Sequence, residues 1–348
     1  MKKYFYELMT DQRSGLLDKI IQMILWVLSL GYGVVVALTR SLYQKGSLSV
    51  YQAPKPVVSI GNITTGGVGK TPLVIWLVKV LNQRGIKAAV LSRGYGAAQG
   101  LNDEAKMFQE IFPQVPILVG RNRKASIQKA LAQEPVDMLV ADDAFQHFPL
   151  KRDLDIVTID ATNPFGNGHL VPRGILREKQ EALARADVFV LTKTDKVQDT
   201  KGLFKRLHQM NPEALIVQSS HTPRYFREIF TEKFHALNAF ENQRAVAFCA
   251  IADPFSFKQA LQKLSVVMVR DFIFMDHYSY KERDLKKIAD CAHKENVNIL
   301  VTTHKDAVKI LPFKKWCQGL TVLSLDIDLE ITQGQDELID RILSLQHR

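Results

Sequence analysis

A glycine-dense turn between an apolar run and a helical pattern is the part of the sequence best suited to hold phosphate. It lies in Val57–Leu73, VVSIGNITTGGVGKTPL. Glycines let backbone N–H groups converge on one point, Lys70 can reach the β- and γ-phosphates, and the Thr71 hydroxyl can ligate Mg²⁺. The pattern departs from G-x-x-x-x-G-K-[ST] at Thr64, where glycine is usual. The residues expected to bind nucleotide phosphate are Thr65, Gly66, Gly67, Val68, Gly69, Lys70 and Thr71.

Two consecutive aspartates are the strongest candidates for holding a metal ion. Asp142 and Asp143 follow an apolar run at 136–141 that is typical of a buried strand. A carboxylate at the end of such a strand, beside a phosphate loop, can hold Mg²⁺ directly or through water. The predicted metal ligands are therefore Thr71, Asp142 and Asp143, with no preference for which aspartate is nearer the ion. Gln146 follows closely and can orient a hydroxyl group or a water molecule.

Residues at the ends of other predicted strands are weaker candidates. Guanidinium groups suit phosphate oxygens, but any one of these arginines is equally consistent with an ordinary surface residue. The arginines concerned are Arg93, Arg121, Arg123 and Arg177. Thr192–Asp195, TKTD, resembles the guanine-reading N-K-x-D element, with threonine in place of asparagine. Taken alone, that element favours a P-loop GTPase.

Apolar runs alternate with helical patterns along most of the chain, and this alternation predicts the fold. It is typical of a parallel sheet with helices on both faces, in which ligands bind at the carboxyl ends of the strands. The predicted class is α/β: a P-loop NTPase-like parallel sheet flanked by helices, with a smaller C-terminal α/β lobe. A second α/β pattern begins at Arg244. The predicted domains are therefore 1–45, 46–240 and 241–348.

An apolar segment near the N-terminus predicts a membrane-associated helix. Ile20–Thr39 would form a helix about 30 Å long, close to the thickness of the hydrocarbon layer. Basic residues on both flanks favour a helix at the headgroup layer or partly inserted below it. No small-x-small cleavage site follows, which disfavours a signal peptide, and a buried core helix remains the alternative. Because a phosphate loop needs ATP or GTP, the rest of the chain is expected in the cytoplasm.

The composition is that of a basic globular protein. The 348 residues include 46 Lys and Arg against 36 Asp and Glu, a net charge of +10. A basic surface favours polyanionic partners such as nucleotides, nucleic acid or an anionic membrane. The three cysteines are Cys249, Cys291 and Cys317. Because they have no C-x-x-C spacing, they indicate neither a zinc site nor a disulfide framework.

Several short motifs occur in a fixed order between Tyr51 and about Leu311. They are GNITTGGVGKTP, SRGYG, DDAFQH, LVPRGILRE, DHYSY and TTHKDAVKI. In this order they resemble the tetraacyldisaccharide 4'-kinase family, the lipid A 4'-kinases, and the apolar N-terminal helix also fits that family. The resemblance implies an ATP-dependent, Mg²⁺-requiring kinase that phosphorylates the 4'-hydroxyl of a tetraacyl lipid A disaccharide 1-phosphate. It also implies a location at the cytoplasmic face of the bacterial inner membrane.

The same resemblance assigns roles to individual residues. The family's catalytic Asp–His pair falls on Asp103 and His277, and the arginine of its L-R-E motif falls on Arg177. The catalytic candidates are thus Lys70, Asp103, Gln146, Arg177 and His277. The implied partners are the lipid A precursor and the membrane surface, with no nucleic acid and no obligatory protein partner.

The chain also departs from the family pattern. The family pattern has glycine where this chain has Asn102 and Ala144, and proline where it has Ala105 and Ile175. It has glutamate where this chain has His304. None of these positions is assigned to phosphate binding, metal binding or proton transfer.

Two other functions remain open from the residues alone: a P-loop GTPase and a membrane- or DNA-associated partitioning ATPase. The partitioning ATPases commonly carry lysine where Thr65 stands, which counts against that alternative.

Overall fold

A computed structural model describes residues 2–92, 103–120, 122–276 and 278–347, and only the backbone of residues 2, 3, 103, 104 and 347. The chain forms two compact units. Unit 1 contains the described parts of 2–92, 115–220 and 330–347, and unit 2 contains those of 103–114 and 221–329. In this division 221–240 belongs to unit 2 and 330–347 to unit 1, and the domain boundaries drawn from the sequence stay a prediction.

Two helices open unit 1. They are α1 (Lys2–Met9) and α2 (Leu16–Gln44). α2 has 29 residues, or about 44 Å, so it is longer than the predicted apolar segment. Within the described part of the chain it is the one helix long and apolar enough, by length and composition, to cross a membrane. Its exposed apolar side chains include Leu16, Leu17, Ile20, Met23, Ile24, Trp26, Val27, Leu28, Leu30, Val34, Val35, Leu38 and Leu42.

The core of unit 1 is a parallel sheet. Its strands are β1 (Val57–Gly61), β2 (Ala88–Ser92), β3 (Ile117–Val119), β4 (Met138–Asp142), β5 (Leu154–Asp160), β6 (Val188–Thr192) and the first part of β7 (Leu215–Glu228). They lie in the order β7-β6-β5-β1-β4-β2-β3. β1, β2, β4 and β6 are buried along their whole length, as expected when helices cover both faces of a sheet.

Unit 2 contains a second set of parallel strands. They are β9 (Arg244–Cys249), β10 (Val267–Ile273), β11 (Ile299–Thr303) and β12 (Thr321–Gln333), in the order β10-β9-β11-β12. A short strand, β8 (Phe234–His235), pairs antiparallel with the end of β7. β7 begins in unit 1 and ends in unit 2, and β12 runs along the chain in the opposite sense, from unit 2 back into unit 1.

Helices alternate with the strands in both units. They are α3 (Lys70–Gln83), α4 (Asp103–Ile111), α5 (Arg123–Gln133), α6 (Lys201–Met210), α7 (Pro254–Lys263), α8 (Glu282–Lys294), α9 (His304–Ile310) and α10 (Gln335–Leu343). α3 buries Leu73, Leu77 and Leu81, a four-residue spacing that forms one apolar stripe. It ends at Gln83, and Gly85, two residues further on, has a φ of 72° that is favourable for glycine. The predicted α/β class, with a parallel sheet flanked by helices, is confirmed.

The last described residues complete unit 1. In α10, Leu338, Ile339 and Ile342 are buried. The Arg341 guanidinium donates to the backbone carbonyls of Asp187 and Glu213, at 2.9 and 3.1 Å. Residues 330–347 are therefore part of the apolar core and the hydrogen bonding of unit 1.

Candidate active site

The phosphate loop connects β1 to α3 at the centre of the sheet in unit 1. β1 ends at Gly61 and α3 begins at Lys70, so the first turn of α3 directs its unpaired N–H groups toward the loop. Gly66 and Gly69 have φ values of 109° and 87°, a backbone region in which side chains with a Cβ are strained. Residues 65–67 are exposed, so this part of the loop is open to a ligand.

Gly61 is required by the close approach of the segment that follows β4. A Cβ at position 61 would lie 2.5 Å from the Cβ of Phe145 and 2.8 Å from its backbone nitrogen. No side chain fits in that space. The close approach places Gln146 beside the loop, where its Nε2 donates to the carbonyl of Asn62 at 2.8 Å.

Asn62 is a functional candidate that the sequence analysis missed. It is fully buried, and its Nδ2 donates to the carbonyl and the hydroxyl of Thr64 at 2.6 and 3.2 Å. Its Oδ1 accepts from Lys70 Nζ at 3.1 Å and also from Arg177. Asn62 therefore fixes the shape of the loop and links two cations. The available signal was a buried-strand pattern ending in a polar residue just before the glycines.

Asp143 forms ion pairs with both of these cations. Arg177 donates to its two carboxylate oxygens at 3.0 and 2.8 Å, and Lys70 Nζ lies 3.5 Å from Oδ1. Burial opposes the charged form, but the hydrogen bonds and charges of Arg177 and Lys70 hold the pKa of Asp143 well below its usual range. The backbone of Asp143 has a φ of 48°, which is unusual for a residue other than glycine. Aspartate adopts this conformation more readily than most residues, in turns as well as at functional sites.

Asp142 lies directly before Asp143 and is more deeply buried. It is the last residue of β4 and pairs in register with Ile60 of β1, so it is next to the start of the phosphate loop. Its backbone carbonyl accepts a hydrogen bond from the buried Arg123 at 2.6 Å. Arg123 thus fixes the backbone of the acidic pair from a buried position. It is not an ordinary surface arginine, the alternative that the sequence allowed.

The donor set near the loop fits Mg²⁺. Asp142 and Asp143 supply carboxylate oxygens and Thr71, in the first turn of α3, supplies a hydroxyl oxygen. Oxygen ligands, a small number of carboxylates and completion by phosphate oxygens are what this ion prefers. The roles of these residues as metal ligands stay a prediction.

The T-K-T-D element supports the loop from β6. The Thr192 hydroxyl donates to the backbone carbonyl of Val68 at 3.1 Å. The Lys193 ammonium lies 2.6 Å from Asp160 Oδ2, and Asp195 is exposed on a short 3₁₀ helix. The first residue of the element therefore contacts the phosphate loop directly, a role that its resemblance to a guanine-reading element does not predict.

Arg177 reaches the site on a segment without regular secondary structure, residues 163–177, which we call the strap. The carbonyl of Ile175 accepts from the backbone N–H of Thr65 at 2.7 Å, and the N–H of Arg177 donates to the carbonyl of Ile63 at 2.7 Å. These two bonds fasten the end of the strap along the phosphate loop. They place the Arg177 guanidinium on Asp143 and Asn62.

Some predicted residues lie outside the described part of the molecule. His277, Arg93 and Arg121 are among them, and so is the side chain of Asp103. Asp103 is the first residue of α4, which packs against α9 in unit 2. The pairing of Asp103 with His277 therefore stays a prediction. Lys70, Gln146, Arg177 and the acidic pair are brought together in unit 1.

Comparisons with known proteins show the family of the chain. Residues 21–345 match the model of a family described as tetraacyldisaccharide-1-P 4'-kinase. The tetraacyldisaccharide 4'-kinase of Desulfatibacillum aliphaticivorans is 35% identical, over 93% of this chain and 92% of that protein. The enzyme of the same name from Halothermothrix orenii is 32% identical, over 98% of each.

A solved structure shows the same fold. LpxK from Aquifex aeolicus, crystallised in complex with ATP, aligns with a TM-score of 0.74 at 24% identity, over 93% of this chain and 99% of that one. The family match covers the phosphate loop, the acidic pair and the strap, and the relatives align over nearly their whole length. The chain belongs to the tetraacyldisaccharide-1-P 4'-kinase family.

Proposed function

We propose that the protein transfers the γ-phosphate of ATP to the 4'-hydroxyl of a tetraacyl lipid A disaccharide 1-phosphate, with Mg²⁺, at the cytoplasmic face of the inner membrane. Family membership supports the reaction. The observation that carries the site assignment is the cluster of Lys70, Arg177, Asp143 and Asn62 at the end of the phosphate loop. Such a cluster supplies cations where the β- and γ-phosphates of a nucleotide would lie.

Binding of the triphosphate exchanges partners within this cluster. Lys70 and Arg177 are paired with Asp143 in the structure, and phosphate oxygens attract the same two cations. The N-terminus of α3 adds backbone N–H groups and the favourable end of the helix dipole. Because the cations are already positioned by Asn62 and Asp143, little reorganisation is needed as charge develops during transfer.

The acidic pair and Thr71 would hold the metal ion. When bound, Mg²⁺ offsets negative charge on the β- and γ-phosphates. Arg177, which also donates to Asn62, holds the Asp143 carboxylate in place, and Arg123 holds the backbone of Asp142.

The acceptor hydroxyl needs a base, and the family resemblance assigns that role to Asp103. His277 would orient Asp103 or adjust its affinity for the proton. Gln146, beside the phosphate loop, would orient the hydroxyl group. Transfer of this kind depends mainly on positioning and electrostatics.

A lipid acceptor explains the apolar surface of α2. Most side chains of α2 are exposed, with only Leu25 and Ser29 buried, and an exposed apolar area of this extent is typical of a surface covered by lipid or protein. We infer that α2 lies in or across the cytoplasmic leaflet and brings the site to its substrate. The net charge of +10 favours the same anionic surface.

A transfer assay tests the proposed reaction. Detergent-solubilised protein is incubated with γ-labelled ATP and the disaccharide 1-phosphate lipid, and labelled lipid is the expected product. Hydrolysis of ATP without labelled lipid would contradict the kinase function. Faster transfer with GTP than with ATP would favour the guanine-reading alternative.

The base assignment has its own test. Asp103→Ala should lower kcat by a factor of about 10² or more while ATP still binds, since only proton transfer is affected. Near-normal turnover would remove Asp103 from that role.

The membrane role of α2 is tested by charge. Val34→Asp combined with Val35→Asp places two carboxylates on exposed positions of α2 and should strongly reduce co-sedimentation with anionic vesicles. Val267→Asp, at an exposed position of β10, serves as the control and should leave sedimentation unchanged. Equal sedimentation of both variants would contradict the membrane role.

A further inference from the structure

The α1–α2 pair contacts the strap at two places within unit 1. In the turn between the helices, Asp11 accepts hydrogen bonds from Asn167 Nδ2 at 3.0 Å and from an Arg173 guanidinium nitrogen at 2.6 Å. Asn167 also donates to the carbonyl of Met9 at 2.9 Å. The first contact therefore joins the N-terminal turn to the beginning and the middle of the strap.

The second contact lies midway along α2. A Cβ at Gly33 would lie 2.8 Å from Leu170 Cδ1, so the helix backbone packs directly on this strap side chain. Leu170 in turn packs against the buried cluster that contains Ile63 and Phe145. Beside Gly33, the Tyr32 hydroxyl donates to the backbone carbonyl of Arg177 at 3.1 Å.

The peptide groups of Arg177 are thus held from two sides. Its N–H donates to Ile63 in the phosphate loop, and its carbonyl accepts from Tyr32 on the helix. Its guanidinium then reaches Asp143 and Asn62. A bidentate contact tolerates little displacement of the backbone that carries it.

We propose that Tyr32 is a positioning residue for phosphoryl transfer, and that α2 fixes Arg177 against the phosphate loop through the strap. On this view the helix has two functions: it provides the membrane surface and it completes the phosphate site. The packing of α2 against the strap then also aligns Arg177. The inference rests on the proposed role of Arg177.

A double-mutant cycle tests the coupling. Tyr32→Phe removes only the hydroxyl group, and kcat should fall about three- to tenfold, the range expected for one lost hydrogen bond. In an Arg177→Lys background, which keeps the charge and loses the bidentate contact, the same change should lower kcat by less than about 1.5-fold. The KM for the lipid should stay constant in both backgrounds.

Thr39→Val is the matched control. It also removes one hydroxyl group from α2, but that hydroxyl bonds to Val35 within the same helix. It should change kcat in neither background. An equal loss for Thr39→Val and Tyr32→Phe, or a Tyr32→Phe effect that is the same in both backgrounds, would overturn the proposal. A protein that is merely destabilised by Tyr32→Phe gives this second result, so a folding defect counts against the coupling.

A second readout separates this inference from the proposed function. The dissociation constant for a fluorescent ATP analogue is measured over the same cycle without any lipid acceptor. If the losses of affinity for the analogue are non-additive but no label is transferred to the lipid, the coupling between Tyr32 and Arg177 is retained and the proposed acceptor is rejected. If the wild-type protein transfers phosphate to the lipid but the losses of affinity are additive, the kinase function is retained and the coupling is rejected.

Discussion

Lys70, Arg177 and Asp143 form an ion-paired cluster in a site that must also receive a triphosphate. The carboxylate keeps the two cations close together and so positions them for phosphate oxygens, at the cost of competing with those oxygens. Asp143 is also a predicted metal ligand. Its two functions predict that removing the carboxylate charge leaves ATP binding without Mg²⁺ intact or stronger, but lowers turnover with Mg²⁺.

Asp143→Asn separates these effects. In EDTA, ATP should bind at least as tightly as to wild type, because the competing carboxylate charge is gone. With Mg²⁺, kcat should fall about 10²-fold, the size of effect expected when one preorganised charge is lost. Calorimetric titration with a non-hydrolysable ATP analogue and the transfer assay measure the two quantities.

Asp137→Asn is the control for that experiment. Asp137 lies just before the opposite end of β4 and accepts from the backbone N–H of Lys87 at an exposed position. It should change neither binding nor kcat. If Asp143→Asn weakens ATP binding in EDTA, the idea of competition within the cluster is wrong.

A buried charge cluster in unit 2 predicts a pH dependence of stability. Asp326 accepts from His304 Nδ1 at 2.9 Å and from Ser324 at 2.7 Å. Burial raises its pKa, but the hydrogen bond and charge of His304 outweigh this, with help from Ser324 and Arg227, and the pKa of Asp326 lies below its usual range. A lowered folded-state pKa means stabilisation that is complete above the unfolded value and is lost as the pH falls toward the folded value.

The free energy of unfolding should therefore decrease below about pH 4, the ordinary carboxyl range. Asp326→Asn should reduce the free energy of unfolding at pH 7 and weaken its decrease at acid pH. Asp328→Asn, two residues along β12 at a more exposed ion pair with Arg224, should leave both unchanged. Urea unfolding between pH 3 and pH 7 gives the comparison, and an identical decrease at acid pH for Asp326→Asn and wild type would contradict it.

At the scale of elements, β6 supports a loop to which it is not adjacent in sequence. Thr192 of β6 donates to the carbonyl of Val68, and Thr158 of β5 donates to the carbonyl of Gly61 at 3.1 Å. Both hydroxyl groups are buried. The shape of the phosphate loop therefore depends on neighbouring strands as well as on its glycines.

Thr192→Val should raise the KM for ATP about three- to tenfold, because the loop loses one hydrogen bond and a buried carbonyl loses its partner. Ser219→Ala is the matched control. Ser219 is buried on β7 and its hydroxyl donates to the carbonyl of Leu191 at 3.0 Å, away from the phosphate loop. It should lower the melting temperature without changing the KM for ATP. Equal KM changes in the two variants would show that the effect is not specific to the loop.

The sequence predicts elements whose signals are local. The phosphate loop, its strand and the acidic pair at the end of β4 are legible because glycine conformation, burial and charge act over a few residues. The strap has no such signal. Its path depends on contacts such as Asp11 with Arg173 and Tyr32 with Arg177, which join residues 162 and 145 positions apart. Asn62 has a local signal, a polar residue at the end of a buried strand, but its bond to Arg177 joins residues 115 positions apart.

At the scale of the whole molecule, each unit is built from segments that are separate in the sequence. β7 leaves unit 1 after residue 220, and β12 returns to it at residue 330. The alternation of strands and helices continues through both crossings, so a boundary read from the sequence pattern has no physical marker there. The non-local contacts of α10 show that the chain has returned to unit 1.

This arrangement predicts the outcome of a truncation. A fragment of residues 46–240, the predicted kinase domain, lacks α10 and the hydrogen bonds of Arg341 to Asp187 and Glu213. It should melt at a clearly lower temperature than the full chain or fail to give a cooperative transition, because the core positions covered by Leu338 and Ile342 are exposed. Thermal unfolding followed by circular dichroism is the measurement. A cooperative transition at the full-length temperature would support the sequence-based boundary instead.

The position of α2 along the chain has a consequence for biosynthesis. Asp11 and Tyr32 are made 162 and 145 residues before the strap residues that contact them. At about 5–20 residues per second, this is a delay of roughly 7–30 s. During that time the bilayer is the surface that can cover an apolar helix of this length. We expect nascent chains that end at Gly120, still attached to the ribosome, to float with vesicles, and the Val34→Asp, Val35→Asp form to remain with free ribosomes. The strap would then fold onto a helix that is already in the membrane.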